Sequence, residues 1–156
     1  VYYDLIVNLY HEYKINVDLK TDKVSIKRLL SPNSDALVEF VLKNFTKGWA
    51  AEVKAAIYKN NPTCFIAVSD NEIVGFACYD ATAKGYFGPT GVNEKFRGLN
   101  IGQVLLQKCL TAMKNDGYGY AIIGSVGEKV ISFYSKYIEL TPVSSVNSVY
   151  TRLINK

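Results

Sequence analysis

The sequence has 156 residues, enough for one domain that buries a real core without covalent staples. It is 49% hydrophobic and 21% charged, with a formal net charge of +4. That charge mildly favours an anionic ligand, but the lysines are scattered and not interleaved with aromatics, which argues against nucleic acid. No apolar run approaches the ~18 residues of a membrane span, so no membrane partner is expected. The start, Val1-Tyr2-Tyr3-Asp4, shows no basic region or small-residue cleavage site, so no secretory leader is expected in it. Cys64, Cys78 and Cys109 lie far apart in apolar segments, with no CxxC and one histidine, His11, in the chain. That usage predicts buried thiols in a reducing cytoplasm, with no metal site and no histidine-based triad.

In chain order, residues 2–16 carry Leu5, Ile6, Leu9, Tyr10 and Tyr13 at spacings that fit one helical face, although Val7 and the tyrosines leave a strand open. Residues 1–20 are read as an extension in front of a domain covering 21–156. Val24–Leu29 alternates as a first strand. Ser31-Pro32 suits a helix start, and Leu37, Val38, Val41, Leu42 and Phe45 give its apolar stripe. Gly48 is expected to break that helix before a second, with Trp49, Val53, Ala56 and Ile57 on one side. Thr63–Val68 and Ile73–Tyr79 form a hairpin about Ser69-Asp70-Asn71. Tyr86–Val92 is a third strand. Pro89, flanked by Gly88 and Gly91, cannot donate to a ladder, so this strand is expected to bend or bulge.

The next stretch is the most informative. In Arg97-Gly98-Leu99-Asn100-Ile101-Gly102, small or turn-tolerant residues let successive N–H groups converge at a helix N-terminus. Such a nest, backed by the helix dipole, suits a phosphate or pyrophosphate. Ile101, Val104, Leu105, Cys109, Ala112 and Met113 mark the helix, and Gly117 its left-handed end. Tyr118–Gly124 reads as a covered strand parallel to a neighbour. Ser125-Val126-Gly127-Glu128 has the capping-box pattern ahead of a helix bearing Val130, Phe133, Tyr134 and Tyr137. Glu139–Val143 and Ser148–Leu153 read as a final hairpin. This order gives a mixed α/β domain with one covered sheet.

Two segments resemble the GNAT family of acyl-CoA-dependent N-acyltransferases. Val92-Asn93-Glu94-Lys95-Phe96-Arg97-Gly98-Leu99-Asn100-Ile101-Gly102-Gln103 is similar to the family's V-x-P-x-Y-R-G-x-G-x-G turn, and Phe133-Tyr134-Ser135-Lys136 to its F-Y-x-K segment. The resemblance spans roughly residues 24–153 and implies a mixed, mostly antiparallel sheet flanked by helices. It implies an acetyl-CoA cosubstrate, with the turn from Arg97 through Gly98, Leu99, Asn100, Ile101, Gly102 and Gln103 around the pyrophosphate. It also implies that Thr90, Gly91 and Val92 bond the pantetheine and acyl carbonyl. Tyr134 matches the position that protonates the departing thiolate, although its place on an apolar helix face also suits an ordinary core tyrosine.

The strand before the turn holds no carboxylate. Asp80 is the best-placed candidate for the base, with Glu52 a poorer one, while an Asp at a strand end is commonly only a turn residue. Trp49, Tyr79 and Phe87 are candidates for the acceptor pocket. Asn100 replaces the middle glycine, which the turn tolerates because Asn accepts a left-handed conformation. Gly127 stands where many members carry a cofactor-contacting asparagine, and Tyr137-Ile138 replaces the usual Gly-Phe. The resemblance implies a cytoplasmic N-acetyltransferase acting directly on a primary amine of a small molecule or protein, and leaves a homodimer open. The alternative is a catalytically weak or inactive acyl-CoA-binding regulatory module.

Overall fold

The computed structural model describes residues 2–13 and 18–154. Strand β1 is Tyr3–Asn8 and β2 is Ser25–Arg28, followed by helices α1 (Ser34–Asn44) and α2 (Lys47–Ile57). The meander β3 (Cys64–Ser69), β4 (Glu72–Tyr79) and β5 (Tyr86–Val92) leads to α3 (Ile101–Asn115). Then come β6 (Tyr120–Val126), α4 (Glu128–Ser135) and β7 (Leu140–Ser144). One seven-stranded sheet runs in the order β2-β3-β4-β5-β6-β1-β7. Every neighbouring pair is antiparallel except β5 and β6.

Helix α3 covers one face of the sheet, where Leu105, Cys109 and Met113 meet Leu5, Ala77 and Tyr79. On the other, Leu37, Val41, Val53 and Ile57 of α1 and α2 pack on Ile66, Phe76 and Cys78. All three cysteines are free and buried. Asp70 and Asn71 both take positive φ, 49° and 61°, which closes the β3–β4 hairpin with the turn that matches strand twist. Gly117 takes φ +99° where α3 ends.

Several expectations need correction. The helical face read over 2–16 is not formed over 2–13, and residues 14–16 lie outside the described residues. Tyr3–Asn8 is instead a strand inside the sheet, not a segment in front of it. Leu5, Val7 and Leu9 are buried because period-two alternation, not the helical period, meets the sheet here. The helix break falls at Phe45-Thr46, where the Thr46 hydroxyl caps α2 by accepting from the Trp49 amide at 3.1 Å; Gly48 lies within α2.

The capping box at Ser125 is not made. Ser125 remains in β6, with φ +56°, and its amide donates to Asp4 Oδ1 at 2.9 Å, so Gly127 begins α4 without a side-chain cap. The strand at 118–124 is parallel to β5 over only two residue pairs and antiparallel to β1 for most of its length. The final hairpin is absent too: Val149–Arg152 is a 3-10 turn, and the partner of β7 is β1.

Leu5 is fully buried between two strands. Leu5→Ala is expected to cost about 2–5 kcal/mol of stability, read as a lower urea midpoint at unchanged slope. A midpoint equal to wild type would remove β1 from the cooperative fold.

Candidate active site

The site grows out of a fault in the sheet. β5 and β6 pair only as Tyr86↔Ile122 and Phe87↔Ile123. The register of β4 against β5 slips between Ala77↔Thr90 and Tyr79↔Phe87, which places a bulge at Gly88-Pro89, where the proline predicted one. Beyond it β5 continues to Val92 and β6 to Val126 without pairing, so a wedge opens and the edge of β5 facing it is free. The Thr90 hydroxyl donates to the Phe76 carbonyl at 3.0 Å.

At the open end of the wedge lies the turn into α3. Asn100 takes the left-handed φ of 66° that its place requires, and Gly98 has φ +81°. The Asn100 side chain does not cap α3; its Nδ2 donates outward to the Asp18 carbonyl at 2.9 Å. The first amide to rejoin the helix ladder is Val104, to the Asn100 carbonyl at 3.1 Å. The six amides from Gly98 to Gln103 therefore find no acceptor among the described residues. No acidic residue occupies the first turn, and a Cβ built on Gly98 or Gly102 meets nothing within 4 Å. Open space, free donors and the positive end of a 15-residue helix coincide. Arg97 Nε donates to the Val92 carbonyl at 3.3 Å, tying turn to strand and occupying that carbonyl.

Two cavities meet here. One, about 460 Å³, is lined by Phe45, Thr90, Gly91, Val92, the turn and Phe133. The second, about 430 Å³, passes through the wedge past Phe87, Pro89 and Tyr134 to Glu52, Thr82 and Tyr150. Trp49 and Thr90 line both, so the two adjoin. The tip of the Phe45 ring meets Gly91, where a Cβ would fall 2.4 Å from it, and the ring packs among Trp49 and Phe76 to form the wall.

The sequence-predicted residues divide clearly. Thr90, Gly91, Val92 and the turn from Arg97 to Gln103 border the first cavity, with Leu99 packed inward against the core. Tyr134 lines the second; it is buried, edge-on to Phe87, and burial pushes its phenol up to about 12. Its hydroxyl has no hydrogen-bond partner among the described residues.

Asp80 is not brought to the wedge. Both its oxygens lie 2.9 Å from the Tyr118 hydroxyl, and Oδ1 also accepts from the Gly85 amide at 2.7 Å, so it fixes the β4–β5 turn. Burial first, then this carboxylate, raises Tyr118 to about 12. Tyr79 is not a pocket residue either: it is fully buried, with its hydroxyl between Arg28 at 3.0 Å and Asp116 at 3.4 Å. Glu52 does reach the cavity, where burial raises its carboxyl above 4.5 against a smaller opposing effect from the Thr82 hydroxyl. Phe45, Thr82 and Tyr150 carried no signal in the sequence. Phe133 was visible only as half of the Phe-Tyr pair.

The Acetyltransferase (GNAT) family matches residues 32–138, more than half of the chain, and the chain belongs to that family. Among solved structures, it is similar to a GCN5-related glucosamine N-acetyltransferase region of a fungal multi-domain β-N-acetylglucosaminidase. That match has a TM-score of 0.70 at 15% identity, over 91% of this chain and 20% of that one. A GCN5-related N-acetyltransferase from Sphaerobacter thermophilus matches at TM-score 0.63 and 16% identity, over 95% and 44%. A GNAT family N-acetyltransferase from Escherichia coli in complex with CoA matches at 0.51 and 16%, over 66% and 61%. The chain thus spans less than half the length of the first two. No curated protein matches the sequence. Among the described residues no helix is long and apolar enough to cross a membrane, and no cluster of His, Cys, Asp and Glu could hold a metal.

Because burial raises Glu52, the folded chain holds its proton more tightly than the unfolded chain does. Its contribution to stability is therefore present below the ordinary value near 4.5 and is lost as pH rises through the folded value. Glu52→Gln should melt at or above wild type at pH 7, with the difference narrowing toward pH 5 in calorimetry. A variant less stable than wild type only at pH 7 would reverse the sign.

Proposed function

We propose that the chain transfers an acetyl group from acetyl-CoA directly to a primary amine. The observation that carries this is the run of six free amides from Gly98 to Gln103 opening into the same wedge as Tyr134. The nest fits a pyrophosphate because its donors are unpaired at a helix N-terminus and its glycines leave room there. Free backbone groups along β5 after Phe87 would hold the pantetheine arm as an added strand, and would orient the acyl carbonyl. When bound, acetyl-CoA supplies an activated thioester. That one of the similar folds is described as a glucosamine N-acetyltransferase region, and another is held with CoA, is in keeping with this reading.

The amine N–C bond forms as the thioester C–S bond breaks, so one proton must leave nitrogen and one must reach sulfur. Glu52, on the acceptor side of the cavity, takes the place Asp80 was expected to fill; its raised carboxyl brings it closer to a base poised for neutral pH. Tyr134 supplies the proton to sulfur. A phenol at about 12 is a weak acid for a thiol normally near ~8.5. However, the burial that raises the phenol equally disfavours a bare thiolate, so both shift the same way and the transfer is made as the C–S bond opens.

Acetyl-CoA should raise the melting temperature with concentration, and no shift at millimolar ligand would sink the proposal. Tyr134→Phe should lower kcat by about 10²-fold while leaving that thermal shift intact; unchanged turnover would remove the acid role. Activity should rise with pH along a limb set by Glu52 and abolished in Glu52→Gln. No falling limb from Tyr134 is expected in the neutral range, because it keeps its proton up to about 12. Binding of acetyl-CoA with no CoA release across a broad amine panel would leave a binding module instead.

A further inference from the structure

The acceptor end of the wedge has a wall that the reaction itself does not require. Tyr150, in the 3-10 turn Val149–Arg152, lies directly on Gly124 of β6, where a Cβ would come within 2.5 Å of its ring. It also meets Tyr86 of β5 edge-on, with ring centres 6.2 Å apart. The ring therefore lies across β5 and β6 beside their last pairing, on the side where Glu52 and Thr82 line the cavity. Thr82 lies beside both the Glu52 carboxylate and the Tyr150 hydroxyl.

This tail is anchored. Ser148 Oγ accepts from the Tyr150 amide at 3.2 Å, and Thr151 Oγ1 donates to the Ser148 carbonyl at 2.9 Å. Ser145 Oγ donates to the Tyr2 carbonyl at 2.9 Å, which ties the segment to the start of β1.

Resting on the transferase reading above, we propose that Tyr150 is a specificity-determining residue that limits the acceptor to a primary amine on a compact molecule. A peptide-borne amine needs a groove through which the chain attached to it can leave the site, at about 3.3 Å per residue. Here the about 430 Å³ that must hold the acyl end and the acceptor together is bridged from β5 to β6 by an aromatic ring. Among the described residues Glu52 is the sole carboxylate lining that space, which suits one ammonium group better than a polycation.

The test compares kcat/KM for ethanolamine and glucosamine with that for a lysine-containing tetrapeptide, at saturating acetyl-CoA. Wild type should favour the compact amines. Tyr150→Ala should raise KM for them and shift the ratio toward the peptide by at least about tenfold. Gly124→Ala, which pushes the ring off β6 without deleting it, should move the ratio the same way, while Tyr150→Phe should keep it, because the ring makes the wall. The acetyl-CoA thermal shift, measured on each variant, shows that the cofactor side is intact. A wild type that uses the peptide as well as the small amines, or an unchanged ratio in Tyr150→Ala with that shift retained, would overturn this inference alone. A wild type that neither binds nor consumes acetyl-CoA would overturn the transferase reading with it.

Discussion

Two backbone pairings hold β5 to β6, and the site depends on there being no third. A parallel pair of strands is ordinarily continuous, because each unpaired N–H and C=O in a sheet interior costs free energy. Here the bulge at Gly88-Pro89 swings β5 away after Phe87. The orphaned backbone groups then face a cavity, where water or a ligand can satisfy them. Everything else is arranged about that gap: α3 starts at its open end, α4 brings Tyr134 to one flank, and α2 brings Glu52 and Trp49 to the other. A sheet repaired at this point would be more regular and would have no place for a thioester.

The gap also decides which polar groups are free to act. Asp80 and Glu52 are both carboxylates near strand ends or helices that approach the site, but their partners differ. Asp80 is spent on Tyr118 and the Gly85 amide, and its turn needs it there. Glu52 faces the cavity with Thr82 beside it. Tyr79 and Tyr134 divide in the same way: Tyr79 is satisfied between Arg28 and Asp116, whereas Tyr134 directs an unpartnered hydroxyl at the wedge. A residue already fully hydrogen-bonded in a core has little left to offer a substrate.

The cofactor half of the site was legible because it is written locally. A left-handed Asn100, a left-handed Gly98 and an uncapped helix follow one another within a few residues, and Pro89 announces its own bulge. The meander, the two covering helices and α3 were legible for the same reason. What escaped depends on pairings distant in sequence. The spacing of residues 2–13 suits a helix in isolation, and only the presence of β6 and β7 makes Tyr3–Asn8 a strand. Residues 148–153 do not return as the expected strand on the open edge of β7; they form a 3-10 turn that folds over Gly124 instead. Ser125 lost its capping role to Asp4, a residue 121 positions away. Tyr150 reaches the cavity through such a contact, so nothing near it in the sequence marks it, whereas Glu52 was legible only as the poorer candidate for the base.

The position of β1 bears on how the sheet is completed. Leu5 pairs with Ile123 on one side and Pro142 on the other, both more than a hundred residues further along the chain. Contacts of such long range add to the loop-closure entropy that slows folding. During synthesis β1 must wait, with Leu5, Val7 and Leu9 unprotected, until β6 and β7 have emerged. Its apolar face is thus a chaperone-facing or aggregation-prone segment over that interval. The wall at Tyr150, anchored to Tyr2, forms only after that wait ends.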